Sequence, residues 1–175
     1  NIVTRGLRST PTTAEDVEFI DALLSVQTDG QDRRFHSLLL KTLHKALQRR
    51  PHQAELHYHC GRVLERMGQL ESAIAEGERA VTLDPRCTRA LIDLARWYRR
   101  IRRTRDAAAK LEQVISAGFE YADVYCQLGE LYQEQGQIEK AGSAYRRALT
   151  INAEYVAAKD GLEGLSRTPA VAPRS

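Results

Sequence analysis

The chain has 175 residues, a formal net charge of +3, and 42% apolar, 28% charged and 6% aromatic side chains. That length holds one ordinary domain with its own core and is short for two. No run of about 18 apolar residues occurs, which excludes a membrane-crossing helix; no secretory apolar stretch is seen, and three cysteines without a CxxC pair argue against a disulfide framework, so a reducing, cytoplasmic setting is expected.

Residues 1–13 carry Pro, Ser and Thr and read as a linker, as does the tail at 167–175. Chains are made starting with Met and this one begins at Asn1, so the expectation is a module of a longer parent. Between the two ends, at 14–166, a register of 34 residues recurs. Gly61, Ala95 and Gly129 fall on it, as do Ala73, Ala107 and Ala141, and Leu64, Tyr98 and Tyr132. Residues 20–53 match weakly, through Leu23, Val26, Leu43, Ala46 and Pro51.

The unit at 54–87 reads as two helices. His57, Cys60, Gly61 and Leu64 share one face of the first, spaced i, i+3, i+4 and i+7. Gly68 then caps it in a left-handed conformation, and Asp84-Pro85 stops the second helix. The unit at 88–121 holds Leu91, Leu94, Ala95, Tyr98 and Ile101 on its core face. Its opposite face holds Arg89, Ile92, Arg96, Arg99, Arg100 and Arg103. The unit at 122–155 turns at Gly136, and residues 154–166 read as a closing helix.

These residues resemble the tetratricopeptide (TPR) pattern W-x2-L-G-x2-Y…A-x3-F…P. Tyr125, Leu128, Gly129, Tyr132, Ala141, Tyr145 and Ala148 fill its slots in the last unit. The resemblance implies an all-α fold, a right-handed α-solenoid of antiparallel helix pairs, whose leading helices line a concave groove for a partner's peptide. Carried onto this sequence, that groove comprises Glu55, Tyr58, Arg62, Glu65, Arg66, Arg89, Ile92, Arg96, Arg99, Arg100, Arg103, Asp123, Cys126, Glu130 and Gln133. The family's chaperone-tail clamp is missing, since the corresponding rows offer Leu24, Thr28, His59, Arg89 and Asp93, of which only Arg89 fits.

Six arginines fall within residues 96–105. The unit carrying them has a net charge of +4, while the units on either side are each −2. A polynucleotide backbone favours a continuous positive track, so flanking carboxylates count against nucleic acid. A compact guanidinium cluster suits an acidic or carboxylate-bearing peptide instead, through bidentate charge-assisted bonds. That peptide would come from another protein or from the same parent chain, and a homo-oligomer is a further expectation. The plainer expectation is that Arg96, Arg99 and Arg100 pair with Glu65, Glu130 and Glu134 and hold the repeats in register. A regulatory or substrate-recruiting arm of a larger enzyme is the alternative functional reading.

No cofactor, metal or catalytic constellation is expected. His57 and His59 stand about 200° apart on a helix and do not converge on one ion, while His57 and Cys60 fill core slots. His36, His44 and His52 are scattered and read as surface positions. Cys126 reads as a small groove-lining residue with no histidine in its row. Three departures from the pattern stand out: Arg102 where Gly caps the first helix, Phe119 at the Pro slot, and Gly77 at an aromatic slot. They lead us to expect a shifted or tightened turn at 101–105, and Trp97 filling the gap beside Gly77.

Overall fold

The computed structural model describes residues 33–167, which form eight helices and no strand: α1 Arg33–Arg49, α2 Ala54–Arg66, α3 Leu70–Leu83, α4 Thr88–Arg100, α5 Thr104–Ser116, α6 Ala122–Glu134, α7 Ile138–Ile151 and α8 Val156–Arg167. The expected linker, the tail beyond Arg167 and the start of the divergent unit, with Leu23, Leu24, Val26 and Thr28, lie outside the described residues. The chain divides into two compact units, Asn1–Trp97 and Tyr98–Ser175, so the last three residues of α4 belong to the second.

In the first unit, α1 presents Leu39, Leu43 and Ala46 along one stripe, and α2 answers with Leu56, Cys60 and Val63. Both stripes follow i, i+4, i+7 spacing, which aligns side chains on one helical face. His36, expected at the surface, is buried instead, one turn before Leu39 on that same inner stripe. The α2–α3 hairpin closes at Gly68, whose φ of 76° is left-handed. The Gly68 N–H donates to the carbonyl of Glu65 and the Gln69 N–H to that of Leu64, the paired bonds of a Schellman cap. At the far end, Asp84 turns extended (φ −134°, ψ 92°) immediately before Pro85, and α3 stops there.

Trp97 is 2% exposed and supplies the bulk that Gly77 lacks. A Cβ built on Gly77 would lie 2.9 Å from its Cζ3, and one on Gly61 would lie 3.0 Å from its Cη2. Two glycines therefore make the slot that the indole fills.

In the second unit, the turn at 101–105 is regular, contrary to expectation. Arg102 adopts φ 63°, its N–H donates to the carbonyl of Arg99, and the Arg103 N–H donates to that of Tyr98. Gly136, with φ 73°, closes the α6–α7 turn by the equivalent bonds to Gln133 and Tyr132. The two main-chain bonds hold the turn although an L-residue there costs about 1–2 kcal/mol. The irregularity falls instead at the end of α5. This helix closes on Gly118 (φ 87°), with the Phe119 N–H donating to the carbonyl of Val114, so a left-handed cap replaces the proline stop.

The core of this unit gathers Cys126 of α6, Ala141, Tyr145 and Ala148 of α7, and Ala158 of α8. The Tyr145 ring fills space left by two glycines: a Cβ on Gly129 would lie 2.6 Å from its Cε1, and one on Gly161 would lie 2.5 Å from its Cζ.

Candidate functional site

In the first unit, α2 and α4 enclose a cleft of about 290 Å³ lined by Tyr58, Arg62, Glu65, Arg66, Asp93, Arg96 and Trp97. Helical spacing sets this up: Tyr58, Arg62, Glu65 and Arg66 follow i, i+4, i+7, i+8, and Asp93, Arg96 and Trp97 follow i, i+3, i+4. Tyr58 is buried and donates its hydroxyl to Asp93 Oδ2 at 3.1 Å. Burial first, and then the Asp93 carboxylate, push its phenol well above the ordinary tyrosine range. Asp93 also accepts from Arg96 Nη1 at 2.8 Å through its other oxygen. One carboxylate thus ties the floor of the cleft to its rim.

The Tyr58 ring is flanked by guanidinium groups. Arg62 lies 5.7 Å and Arg89 5.4 Å from its centroid, within cation–π range. Arg89 also donates to Glu55, the residue one 34-residue register earlier. Ile92 is half-buried on α4, so it gives little free apolar surface. Three guanidinium groups against two carboxylates leave the cleft lining positive.

The remaining arginines of the sequence cluster belong to the second unit. Arg99 donates to Glu130 Oε2 at 2.6 Å through Nη1 and to Glu134 Oε1 through Nε and Nη2, at 2.9 and 2.6 Å. Burial alone would lower the Arg99 pKa, but the bonds to the two glutamates outweigh it and raise it. The pairing expected for Arg99 is therefore present, whereas Arg96 takes Asp93 rather than Glu65. Arg103 donates to Asp106 at 2.8 Å with its guanidinium 4.7 Å from the Tyr98 ring centroid. Asp123 and Gln133 are exposed, and Gln133 accepts from the Tyr145 hydroxyl at 3.0 Å.

Cys126 does not line a groove. It is 2% exposed and packed among Ala141, Tyr145, Ala148 and Ala158, because α8 covers this end of α6. Burial, then Glu130 and Asp123, push its thiol up to about 11, far from a nucleophile's range. A second, more apolar cleft of about 450 Å³ lies over α6 and α7, lined in part by Tyr125, Leu128, Tyr132, Lys140, Ala144 and Arg147. Lys140 sits over the Tyr132 ring and Arg147 over that of Tyr125.

His57 and His59 are both buried, and among the described residues no group of three or more metal-ligating side chains assembles. Nδ1 of His57 lies 2.6 Å from Glu76 Oε2 and Nε2 lies 3.0 Å from the carbonyl oxygen of Pro51, so its ring bridges α3 to the turn before α2. His59, in the row of the chaperone-tail clamp, is wholly buried and presents no side chain to a ligand.

Asp93 and Trp97 are the cleft residues that the face assignment from sequence passed over. Asp93 was legible as the carboxylate one turn before Arg96, and Trp97 only once Gly61 and Gly77 are seen to leave it room.

Family models described as tetratricopeptide repeat match residues 40–86, 90–123 and 122–155. The chain belongs to the tetratricopeptide repeat family. No curated protein matches it in sequence. Among solved structures, this TPR chain is similar to MamA, with a TM-score of 0.69 and 23% identity over 79% of this chain and 82% of that one. It is also similar to YrrB, a TPR protein with an unusual peptide-binding site, at a TM-score of 0.63 and 21% identity over 72% of this chain and 65% of that one. A third similarity is to the first TPR of Spaghetti (RPAP3) bound to the HSP90 peptide SRMEEVD, with a TM-score of 0.60 and 19% identity over 65% of this chain and 90% of that one. Identities this low speak to the fold alone. Among the described residues no helix is long and apolar enough to cross a membrane.

Proposed function

We propose that this TPR chain is a non-catalytic protein-interaction module whose α2–α4 cleft takes a short peptide segment bearing carboxylates. The observation that carries the reading is the cleft itself, with Arg62, Arg66 and Arg96 around a floor of Tyr58 and Trp97. A peptide carboxylate entering there would meet guanidinium forks suited to bidentate bonding, above the buried rings of Tyr58 and Trp97. Family membership supports the reading, and two structurally similar proteins are described as bound to a peptide or as having a peptide-binding site. Arg99 contributes less to this function than its place in the sequence implied, because Glu130 and Glu134 already occupy its donors.

The test is fluorescence anisotropy with labelled peptides that differ only in carrying paired glutamates or paired glutamines. The glutamate peptides should bind the wild type, and the double substitution Arg62→Glu/Arg66→Glu should abolish the difference. Equal binding of both peptide sets to the wild type would remove the basis for the assignment.

A further inference from the structure

The six arginines of residues 96–105 are not equivalent in the folded chain. Arg96, Arg99 and Arg103 each hold a carboxylate of this chain: Asp93, the Glu130–Glu134 pair, and Asp106. Arg102 and Arg105 differ. Both are exposed, and among the described residues neither enters an ion pair. Arg102 stands in the α4–α5 turn, its backbone left-handed at the place that glycine fills in the turns at Gly68 and Gly136, and Arg105 follows in the first turn of α5.

We infer that this turn is a second docking point, at which Arg102 and Arg105 engage a carboxylate-rich surface of a partner protein. The inference does not rest on the reading of the α2–α4 cleft. Charge distribution selects the partner. Residues 98–167 carry eleven basic and ten acidic side chains, and five of the eleven basic ones lie within 99–105. A near-neutral unit whose arginines gather around one helix–helix junction, two of them already held by carboxylates of this chain, offers no continuous track for a polynucleotide backbone. The turn also lacks the exposed apolar side chain that would seat it in a lipid surface, since Ile101 is half-buried. A small acidic patch on a protein matches a small basic one. The guanidinium group at 102 also explains why a turn that glycine would satisfy carries a long cationic residue.

The experiment uses the full chain in an Arg62→Glu/Arg66→Glu background, so that the cleft does not contribute. Labelled octaglutamate, oligo-dT and phosphatidylserine vesicles are titrated at about 20 mM salt, where exposed charges are weakly screened. Arg102→Gly/Arg105→Ala should weaken octaglutamate binding about tenfold, a factor of about three for each guanidinium, the size of an exposed ion pair. Arg102→Lys should keep the affinity within about twofold, since it retains the charge. The melting temperature of the double variant should not fall, because glycine suits the left-handed turn. Unchanged octaglutamate affinity overturns the proposal, as does tighter binding of oligo-dT or vesicles than of octaglutamate.

Discussion

Gly129→Ala is the sharpest probe of how the second unit is packed. The added methyl would sit 2.6 Å from Cε1 and 2.7 Å from Cδ1 of Tyr145, where ordinary contact begins at 3.4 Å. Relief therefore needs a displacement of roughly 0.8 Å, the difference between 3.4 and 2.6 Å, in a ring that is 1% exposed. The ring has little room to retreat, because Gly161 of α8 already abuts it. Overpacking of this kind costs about 1–3 kcal/mol, and the better helix propensity of alanine returns up to about 1 kcal/mol. A net loss of about 1–2 kcal/mol should lower the melting temperature by about 2–8 °C in a chain of this size. Leucine at the same position should be worse. The assay is thermal denaturation followed by circular dichroism, with Gly129→Ala/Tyr145→Leu as the companion, in which a smaller and more pliant side chain gives the methyl space. Should Gly129→Ala melt at or above the wild-type temperature, the close approach of α6 to the Tyr145 ring is wrong.

Three further outcomes are expected. Asp93→Asn should strengthen binding of glutamate-bearing peptides about threefold by releasing Arg96 from its carboxylate, while the amide oxygen still accepts from Tyr58; anisotropy titration reads the change. His57→Ala removes both ring contacts and takes one hydrogen-bond partner from the Glu76 carboxylate, which is 13% exposed and also bonded by Arg79, so urea denaturation should report a loss of about 1–3 kcal/mol. Iodoacetamide should label Cys87 before Cys60 or Cys126 in the folded chain, as followed by peptide mass spectrometry, because Cys87 is half-buried while the other two are fully buried. In Cys60 and Cys126, too, burial holds the thiol protonated.

Much of the fold was legible because small residues and turn glycines repeat on a fixed register. Gly68 and Gly136 announce left-handed caps, Asp84-Pro85 announces a stop, and Gly77 announces a vacancy that a nearby indole fills. The turn at Arg102 was misread because residue preference was weighed without the two main-chain bonds that close it. Preference sets the strain of such a turn, whereas its hydrogen bonds decide whether it forms. Cys126 was misassigned for a different reason. Periodicity assigns a residue to a face of its own helix but does not say what lies over that face, and here α8 brings Ala158 onto it. His36 was misread because it was judged as one of several scattered histidines and not by its place one turn before Leu39 on α1. The arginine pattern was half legible: the reach from Arg99 to Glu130 and Glu134 follows from adjacent registers, but the choice of Asp93 by Arg96 is local to one helical turn.

The fit of Trp97 into the hollow made by Gly61 and Gly77 limits how freely this chain can be rebuilt. The hairpins share one repeat length, yet the indole of α4 is cut to one neighbour. Moved beside a repeat with an ordinary aromatic at the position of Gly77, it would collide with that ring; replaced by a small side chain, it would leave two facing hollows. The order of hairpins here is written as lock and key, and any graft or shuffle must carry α2, α3 and α4 together.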